Sequence, residues 1–148
     1  MEKRGPDNPP SQDGKDRASL LVVSSFQEDL VQLRRMLDQS VWNLRSAGSF
    51  QEALALLREN SVAVVICERD LPDGSWRDVM SMLTPVEHAP RLIVISRLAD
   101  ERLWAEVMHL GGFDVLSKPF YEKEVAWVTE SAWRQQQKRN PRARYAEA

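Results

Sequence analysis

The sequence predicts an α/β fold: a three-layer α/β/α sandwich, doubly wound as (βα)5 around a five-stranded parallel sheet. Three short apolar runs, residues 19–24, 62–67 and 91–96, are continuous rather than alternating, which is typical of parallel strands covered on both faces. Segments with helical periodicity separate the strand-like segments along the chain. The length of 148 residues is about that of one domain and allows a sizeable core.

The first half of the chain contains two strand–helix units. Residues 19–24 (SLLVVS) form the first predicted strand, and the helix that follows carries leucines on one face: Leu30, Leu33 and Leu37. Residues 41–47 (VWNLRSA) form a weaker second strand. The next helix begins after Ser49, and Glu52, three residues later, completes the pattern of a capping box.

The second half contains three more units. Residues 62–67 (VAVVIC) form the third strand, followed by the turn sequence LPDGSW and a short helix. Residues 91–96 (RLIVIS) form the fourth strand, and the helix after them ends at Gly111 and Gly112. Residues 114–117 (DVLS) form a short fifth strand before a long last helix.

The composition excludes several classes of protein. A net charge of −2 gives no general attraction to nucleic acid or to a membrane surface. Cys67 is the only cysteine, which excludes an internal disulfide, and His88 and His109 lack the spacing of metal ligands. No apolar run approaches the length of a membrane span or a signal peptide. We expect a cytoplasmic protein without membrane contact.

The two ends of the chain differ in composition from the segment between them. Residues 1–18 hold three prolines, two glycines and almost nothing to bury, and predict a disordered arm, with a docking tail as the alternative. Residues 138–148 form a basic tail, too short to make nucleic acid an expected partner. The domain is predicted over residues 19–137, with no separate output domain after it.

Polar residues come directly after four of the predicted strands. The carboxyl ends of parallel strands meet at one edge of a sheet, and this edge carries the functional sites of such folds. We therefore expect five residues far apart in the sequence to converge on one small patch: Ser24, Ser25, Glu68, Ser96 and Lys118.

Five sequence blocks resemble, in order and spacing, the receiver domain of two-component response regulators: LLVVSS, AGSFQEALALL, VVICERDLPDG, RLIVIS and GGFDVLSKPF. The resemblance covers roughly residues 19–137 and implies a flavodoxin-like, CheY-like fold and a function in signal transduction. Receivers hold Mg²⁺ with two acids after the first strand and accept a phosphoryl group on an aspartate after the third. A Ser or Thr and a Lys after the next two strands bind that group.

This chain departs from the family pattern at the positions that carry the chemistry. The acidic pair is replaced by Ser24 and Ser25 and the acceptor by Glu68, whereas Ser96 and Lys118 match. Two neutral hydroxyls are poor ligands for Mg²⁺, and a longer acidic side chain displaces the nucleophile. We expect no metal, no cofactor, no catalytic residue and no phosphoryl transfer, so the chain is not expected to be an enzyme.

Glu68 has several interpretations. In the first, it forms a purely structural ion pair with Lys118. In the second, it occupies the position of a phosphoryl oxygen, attracts Lys118 and Ser96, and stabilises an active-like state of the domain. The alternative function is a phosphorylatable response regulator, in which Glu68 or Asp70 accepts phosphate from a histidine kinase. Asp70 and Asp73 are otherwise expected to be solvated acids of the turn.

Two other residues lie near this predicted site. Trp76 either roofs it and excludes phosphodonors or packs into the core, and the sequence favours neither. Cys67 is the last residue of an apolar run and is expected to be a buried, unreactive thiol.

Aromatic residues near the C-terminus predict an interaction face. Trp127 lies on the side of the last helix opposite Val125, and Trp104, Val115 and Tyr121 are expected on the same surface. Receivers commonly dimerise or bind partners on the face formed by their fourth helix, fifth strand and fifth helix. The prediction is a stand-alone pseudo-receiver that binds a protein partner or forms a homodimer there, in bacterial signalling or transcriptional regulation. The alternative is a last helix that continues into a partly packed tail.

Overall fold

The structure is a computed structural model that describes residues 17–138. The predicted arm, except its last two residues, and the predicted basic tail, except its first residue, lie outside the described residues. No helix in the described part of the chain is long and apolar enough to cross a membrane.

Five strands and five helices alternate along residues 17–138. The strands are β1 (Ala18–Val23), β2 (Trp42–Ala47), β3 (Val64–Glu68), β4 (Arg91–Ser96) and β5 (Asp114–Ser117). The helices are α1 (Gln27–Met36), α2 (Phe50–Glu59), α3 (Trp76–Leu83), α4 (Glu101–His109) and α5 (Glu122–Lys138). A two-residue antiparallel pair, Asp70–Leu71 with Gly74–Ser75, closes the turn between β3 and α3.

The five strands form one parallel sheet in the order β2-β1-β3-β4-β5. The order reverses direction between β1 and β3, and this doubly wound arrangement confirms the predicted fold class. The register is continuous across the sheet: Leu21 pairs with Val65, and Val65 pairs with Leu92. The carboxyl ends of the strands therefore lie on one edge, as the continuous apolar runs predicted.

A hydrophobic core covers each face of the sheet. The side chains on the face covered by α1 and α5 include Leu20, Val22, Ile66 and Ile93. The opposite face, under α2, α3 and α4, includes Trp76, of which only 1% is exposed. Each large aliphatic side chain buried in this way contributes about 1.5–3 kcal/mol. Trp76 is thus a core residue and does not roof the site.

The start of α2 follows the predicted cap in part. The Ser49 side chain accepts a hydrogen bond from the Glu52 backbone N–H at 3.2 Å, as in a capping box. The Glu52 carboxylate, however, accepts from the backbone N–H of Gly48 at 2.7 Å and not from that of Ser49. The reciprocal bond therefore reaches one residue beyond the predicted partner.

Asp73 supplies a second cap to the same helix. Its carboxylate accepts hydrogen bonds from the backbone N–H groups of Phe50 at 2.7 Å and Gln51 at 3.0 Å. These bonds, with that of Phe50 the larger cause, lower the pKa of Asp73. Asp73 is exposed, as expected of a solvated turn acid, but it also caps α2, because the turn after β3 lies against the start of that helix. Asp70 does remain exposed and pairs with its neighbour Arg69 at 3.0 Å.

Two glycines end α4 in a Schellman motif. The backbone N–H of Gly112 donates to the carbonyl of Val107 at 2.8 Å, and that of Gly111 donates to Met108 at 3.2 Å. Gly111 has a φ of 99°, a left-handed conformation that favours glycine. At Gly112 the constraint is space, because an added Cβ would lie 2.4 Å from Val107 Cγ1.

The Gly112→Ala substitution should destabilise the protein by about 1–3 kcal/mol, because the new methyl group overpacks the junction of α4 and β5. Urea unfolding measures the change. Gly48→Ala is the matched control, since the nearest atom to its added Cβ is 3.6 Å away, and it should shift stability by no more than about 0.5 kcal/mol. Equal losses in the two variants would contradict the steric explanation.

Candidate functional site

The ammonium group of Lys118 is the centre of a buried ionic cluster at the carboxyl edge of the sheet. Its Nζ donates to Glu68 Oε1 at 2.5 Å and to Asp29 Oδ2 and Oδ1 at 2.9 and 3.2 Å. The three side chains come from the segment after β5, the end of β3 and the first turn of α1. Asp29 and Glu68 are 2% and 6% exposed, so water screens these ion pairs poorly.

Asp29 is the member of this cluster that the sequence analysis missed. It lies four residues before Leu33 and eight before Leu37, on the stripe of α1 that faces the core. Ser24 orients it, because the Ser24 hydroxyl donates to Asp29 Oδ2 at 2.7 Å. An acid on an apolar stripe is the signal that could have identified it, since a charge at such a position requires a partner.

An aromatic ring also contacts the ammonium group. The Phe26 ring centroid lies 4.7 Å from Lys118 Nζ, within the range of a cation–π interaction. The backbone N–H of Phe26 donates to the Ser24 hydroxyl at 3.1 Å, which holds the loop between β1 and α1 against the cluster. The Lys118 side chain is consequently only 11% exposed.

The other predicted rim residues lie outside the ionic cluster. The Ser96 hydroxyl is buried and accepts a hydrogen bond from the backbone N–H of Leu98 at 3.0 Å. The backbone of Ser96 does contact Lys118, whose N–H donates to the Ser96 carbonyl at 3.1 Å. Ser25 is exposed. The structure therefore brings Ser24, Glu68 and Lys118 together, through Asp29, and leaves the hydroxyls of Ser96 and Ser25 outside.

Two opposing effects set the pKa of Lys118. Burial alone would lower it, but the hydrogen bonds and negative charges of Glu68 and Asp29 outweigh burial and raise it above its usual value of 10.5. Lys118 is therefore fully charged at neutral pH. Two carboxylates and one ammonium leave the cluster with a formal charge of −1.

The ligand set for a divalent cation is incomplete at this edge. No group of three or more His, Cys, Asp or Glu side chains that could hold a metal ion occurs within residues 17–138. The two carboxylates of the cluster already bind the ammonium group, and the Ser24 hydroxyl beside them is neutral. Magnesium prefers carboxylate oxygens in octahedral geometry, so these residues do not fit it.

The sequence profile described as "Response regulator receiver domain" matches residues 20–128, most of the described chain. The chain belongs to this family. Receiver domains function in two-component signal transduction and are in general signalling modules without enzymatic activity. Among curated proteins, none shows significant sequence similarity to this receiver.

Solved receiver structures share the fold. The signal receiver domain of an HD domain-containing protein from Pseudomonas fluorescens Pf-5 has a TM-score of 0.76 at 24% identity, over 86% of this chain and 94% of that one. A receiver domain protein from Clostridium thermocellum gives 0.72 at 23%, over 81% and 97%. The beryllofluoride-activated NtrC4 receiver domain dimer gives 0.73 at 19%, over 80% and 98%. At these identities the similarity establishes the fold alone.

Cys67, beside the ionic cluster, is a buried thiol in this receiver. Burial, and secondarily the charge of Glu68, strongly raise its pKa. Its Sγ donates to the Glu68 carbonyl at 3.3 Å. A protonated, inaccessible thiol is a poor nucleophile, so the expectation of an unreactive cysteine agrees with the structure.

A second candidate site is the predicted aromatic face. Trp127 and Tyr121 are each 67% exposed and Trp104 is 49% exposed. Val115 is partly buried and packs against the core under α4, so little of it is available to a partner. The C-terminal end of α4 adds two exposed apolar side chains that the sequence analysis did not single out, Met108 and Leu110.

The Lys118→Met substitution should destabilise this receiver by about 3–5 kcal/mol, because it leaves two buried carboxylates without a cation. Urea unfolding at neutral pH measures the loss. Folding raises the pKa of Lys118. Its contribution to the free energy of unfolding is therefore complete at pH values below the unfolded-state pKa of 10.5, and it decreases as the pH rises through the folded-state pKa. The penalty of the substitution should therefore disappear only in alkali.

Lys123→Met is the matched control, because Lys123 is exposed on α5 and should tolerate the change within about 0.5 kcal/mol. A small loss in Lys118→Met, similar to that of the control, would mean that the cluster contributes little to folding.

Proposed function

We propose that this receiver acts without phosphoryl transfer, as a protein-interaction module in bacterial signalling or transcriptional regulation. The observation that carries the proposal is the closed ionic cluster, in which Lys118 already binds Glu68 and Asp29 at 2.5–3.2 Å. In the family pattern this lysine binds the phosphoryl group. Here its three N–H donors have acceptors within the domain itself.

The charge balance of the cluster supports this proposal. Phosphorylation of Glu68 would replace a charge of −1 by about −2, in a buried site with a formal charge of −1 already. Lys118 is the cation bound to this cluster, and the second carboxylate, Asp29, competes for it. A divalent metal normally offsets this repulsion, and the residues present do not fit one.

The position of Glu68 also argues against its use as an acceptor. Its Oε1 atom is held by Lys118 at 2.5 Å, and the residue is 6% exposed. An incoming phosphodonor would have to break that bond and approach in line with an oxygen that faces the lysine. Asp70, the other possible acceptor, is exposed on the turn and pairs with Arg69.

Of the two phosphorylation-independent interpretations of Glu68, the bond pattern favours a constant structural ion pair. A phosphoryl mimic would bind both Lys118 and the Ser96 hydroxyl, yet within residues 17–138 Glu68 accepts from Lys118 and not from Ser96. One carboxylate with one partner gives the domain no second state to stabilise. We therefore assign Glu68 to the stability of the rim.

The domain would then act through its surface. Trp104, Tyr121 and Trp127 expose large aromatic side chains on α4 and α5 and in the segment before α5. Aromatic side chains are frequent anchors of protein interfaces. We propose that this face binds a second copy of the chain or a protein partner, and that the cytoplasmic module spans residues 19–137 between an N-terminal arm and a basic tail.

Titration with Mg²⁺ and then with beryllofluoride should give no saturable heat and no change in tryptophan fluorescence, because the acidic ligands and the free lysine are missing. Isothermal calorimetry measures the first step and fluorescence the second. The NtrC4 receiver domain, whose structure was solved in its beryllofluoride-activated form, is the positive control. A saturable, Mg²⁺-dependent response that Glu68→Gln abolishes would instead support a phosphorylatable response regulator.

If the aromatic face joins two copies, Trp127→Ala should weaken dimerisation by about 30-fold, the loss that corresponds to a 2 kcal/mol interface anchor. Sedimentation velocity over a concentration series measures the change. Val31→Ala is the control, because Val31 is 57% exposed and belongs to α1, which is not one of the elements of the proposed face. A purely monomeric wild-type chain would exclude the homodimer, and equal dissociation constants in the two variants would remove Trp127 from the interface.

A further inference from the structure

We propose that the opposite edge of the sheet holds a binding site for a small phosphorylated ligand with a planar ring, of which a nucleoside monophosphate is the simplest example. A cavity of about 630 Å³ opens there, at the amino ends of β1 and β3, beside β2 and the last turns of α5. This volume is within the usual range for small-molecule sites, about 300–1,000 Å³. The inference is independent of the proposed function, which concerns the other edge.

Among residues 17–138, the lining of the cavity carries cationic side chains and no carboxylate. Arg17 and Arg45 supply guanidinium groups, and His88 adds an imidazole. This is a local excess on a chain whose net charge is −2. Guanidinium groups bind phosphate oxygens through paired hydrogen bonds, so the lining selects an anion.

Arg45 is available for such a ligand. It lies on β2 and is partly buried, and within residues 17–138 its guanidinium group has no ion-pair partner. Arg17 donates from Nη1 to the Gln39 carbonyl at 3.0 Å, a bond that orients it and uses one of its donors. A partly buried cation without a counterion is costly, and an anionic ligand would remove that cost.

Trp133 is the reason for proposing a ligand that contains a planar ring. This residue lines the cavity and packs against the core under α1 and α5, which limits the motion of its indole ring. About one helical turn further along α5, the Gln136 side chain donates to the His88 carbonyl at 3.1 Å. This bond connects the helix to the loop before β4. Trp133 packs on the face of the sheet under α1 and α5, whereas Arg45 pairs with Leu21 on the other face. A ligand that stacks on the indole while its phosphate binds Arg45 would therefore extend across the amino ends of the strands.

The test is calorimetric titration of the full chain with AMP and with GMP, in the absence of divalent metal. We expect saturable binding of at least one nucleotide, with adenosine or guanosine alone and inorganic phosphate alone each at least about 10-fold weaker, because each keeps only one of the two contacts. Phosphate binding as tight as that of the nucleotides would overturn the ring contact. Absence of saturable binding by both nucleotides would overturn the site.

Two conservative variants locate the binding. Arg45→Gln removes the charge and Trp133→Phe keeps an aromatic ring in the core contact, and each should weaken nucleotide binding by about 10-fold or more. Arg102→Gln, on the exposed surface of α4, is the control and should leave binding unchanged. Circular dichroism checks that the variants fold. Nucleotide binding that neither Arg45→Gln nor Trp133→Phe weakens would place the ligand elsewhere and overturn the proposal.

Discussion

The ammonium group of Lys118 joins three parts of the domain that are distant in sequence. It binds Glu68 at the end of β3 and Asp29 in α1 while its own backbone continues from β5. These ion pairs are buried, so neither carboxylate is stable there without the cation, and the cation is stable only with both. The position of α1 on the sheet, the orientation of Ser24 and the state of the rim all depend on this mutual requirement.

The same interaction is the basis of the proposal that this receiver signals without phosphoryl transfer. Receivers of the usual pattern leave a lysine free to respond to a new negative charge, whereas this chain supplies that charge permanently through Glu68 and Asp29. A lysine that is already paired with two carboxylates has little differential free energy to give to a phosphoryl group. What remains variable on the described surface is what binds to it: the exposed aromatic side chains of α4 and α5, and the cationic cavity at the other edge.

Two acids have roles that the sequence analysis missed, for one physical reason. Asp73 is exposed as expected, yet it also caps α2 by accepting from Phe50 and Gln51, which precede it by more than twenty residues. Asp29 was passed over as a helix residue, yet it is buried. In both cases the sequence places an acid in a segment where solvent exposure is usual, and only packing between segments gives that acid its partner.

Local patterns in the sequence determined the fold class, the order of the five strand–helix units, and the end of α4 at Gly111 and Gly112. Local patterns suffice for these features because strand periodicity, helical periodicity and helix termination depend on residues close together in the sequence. The sequence also placed Glu68 and Lys118 on one edge, since parallel strands align their carboxyl ends. Only the tertiary structure decided that Asp29 completes the cluster and that the Ser96 hydroxyl does not. Lys118 is 89 residues from Asp29 and 50 from Glu68, and hydrogen bonds over such separations depend on how the helices pack on the sheet.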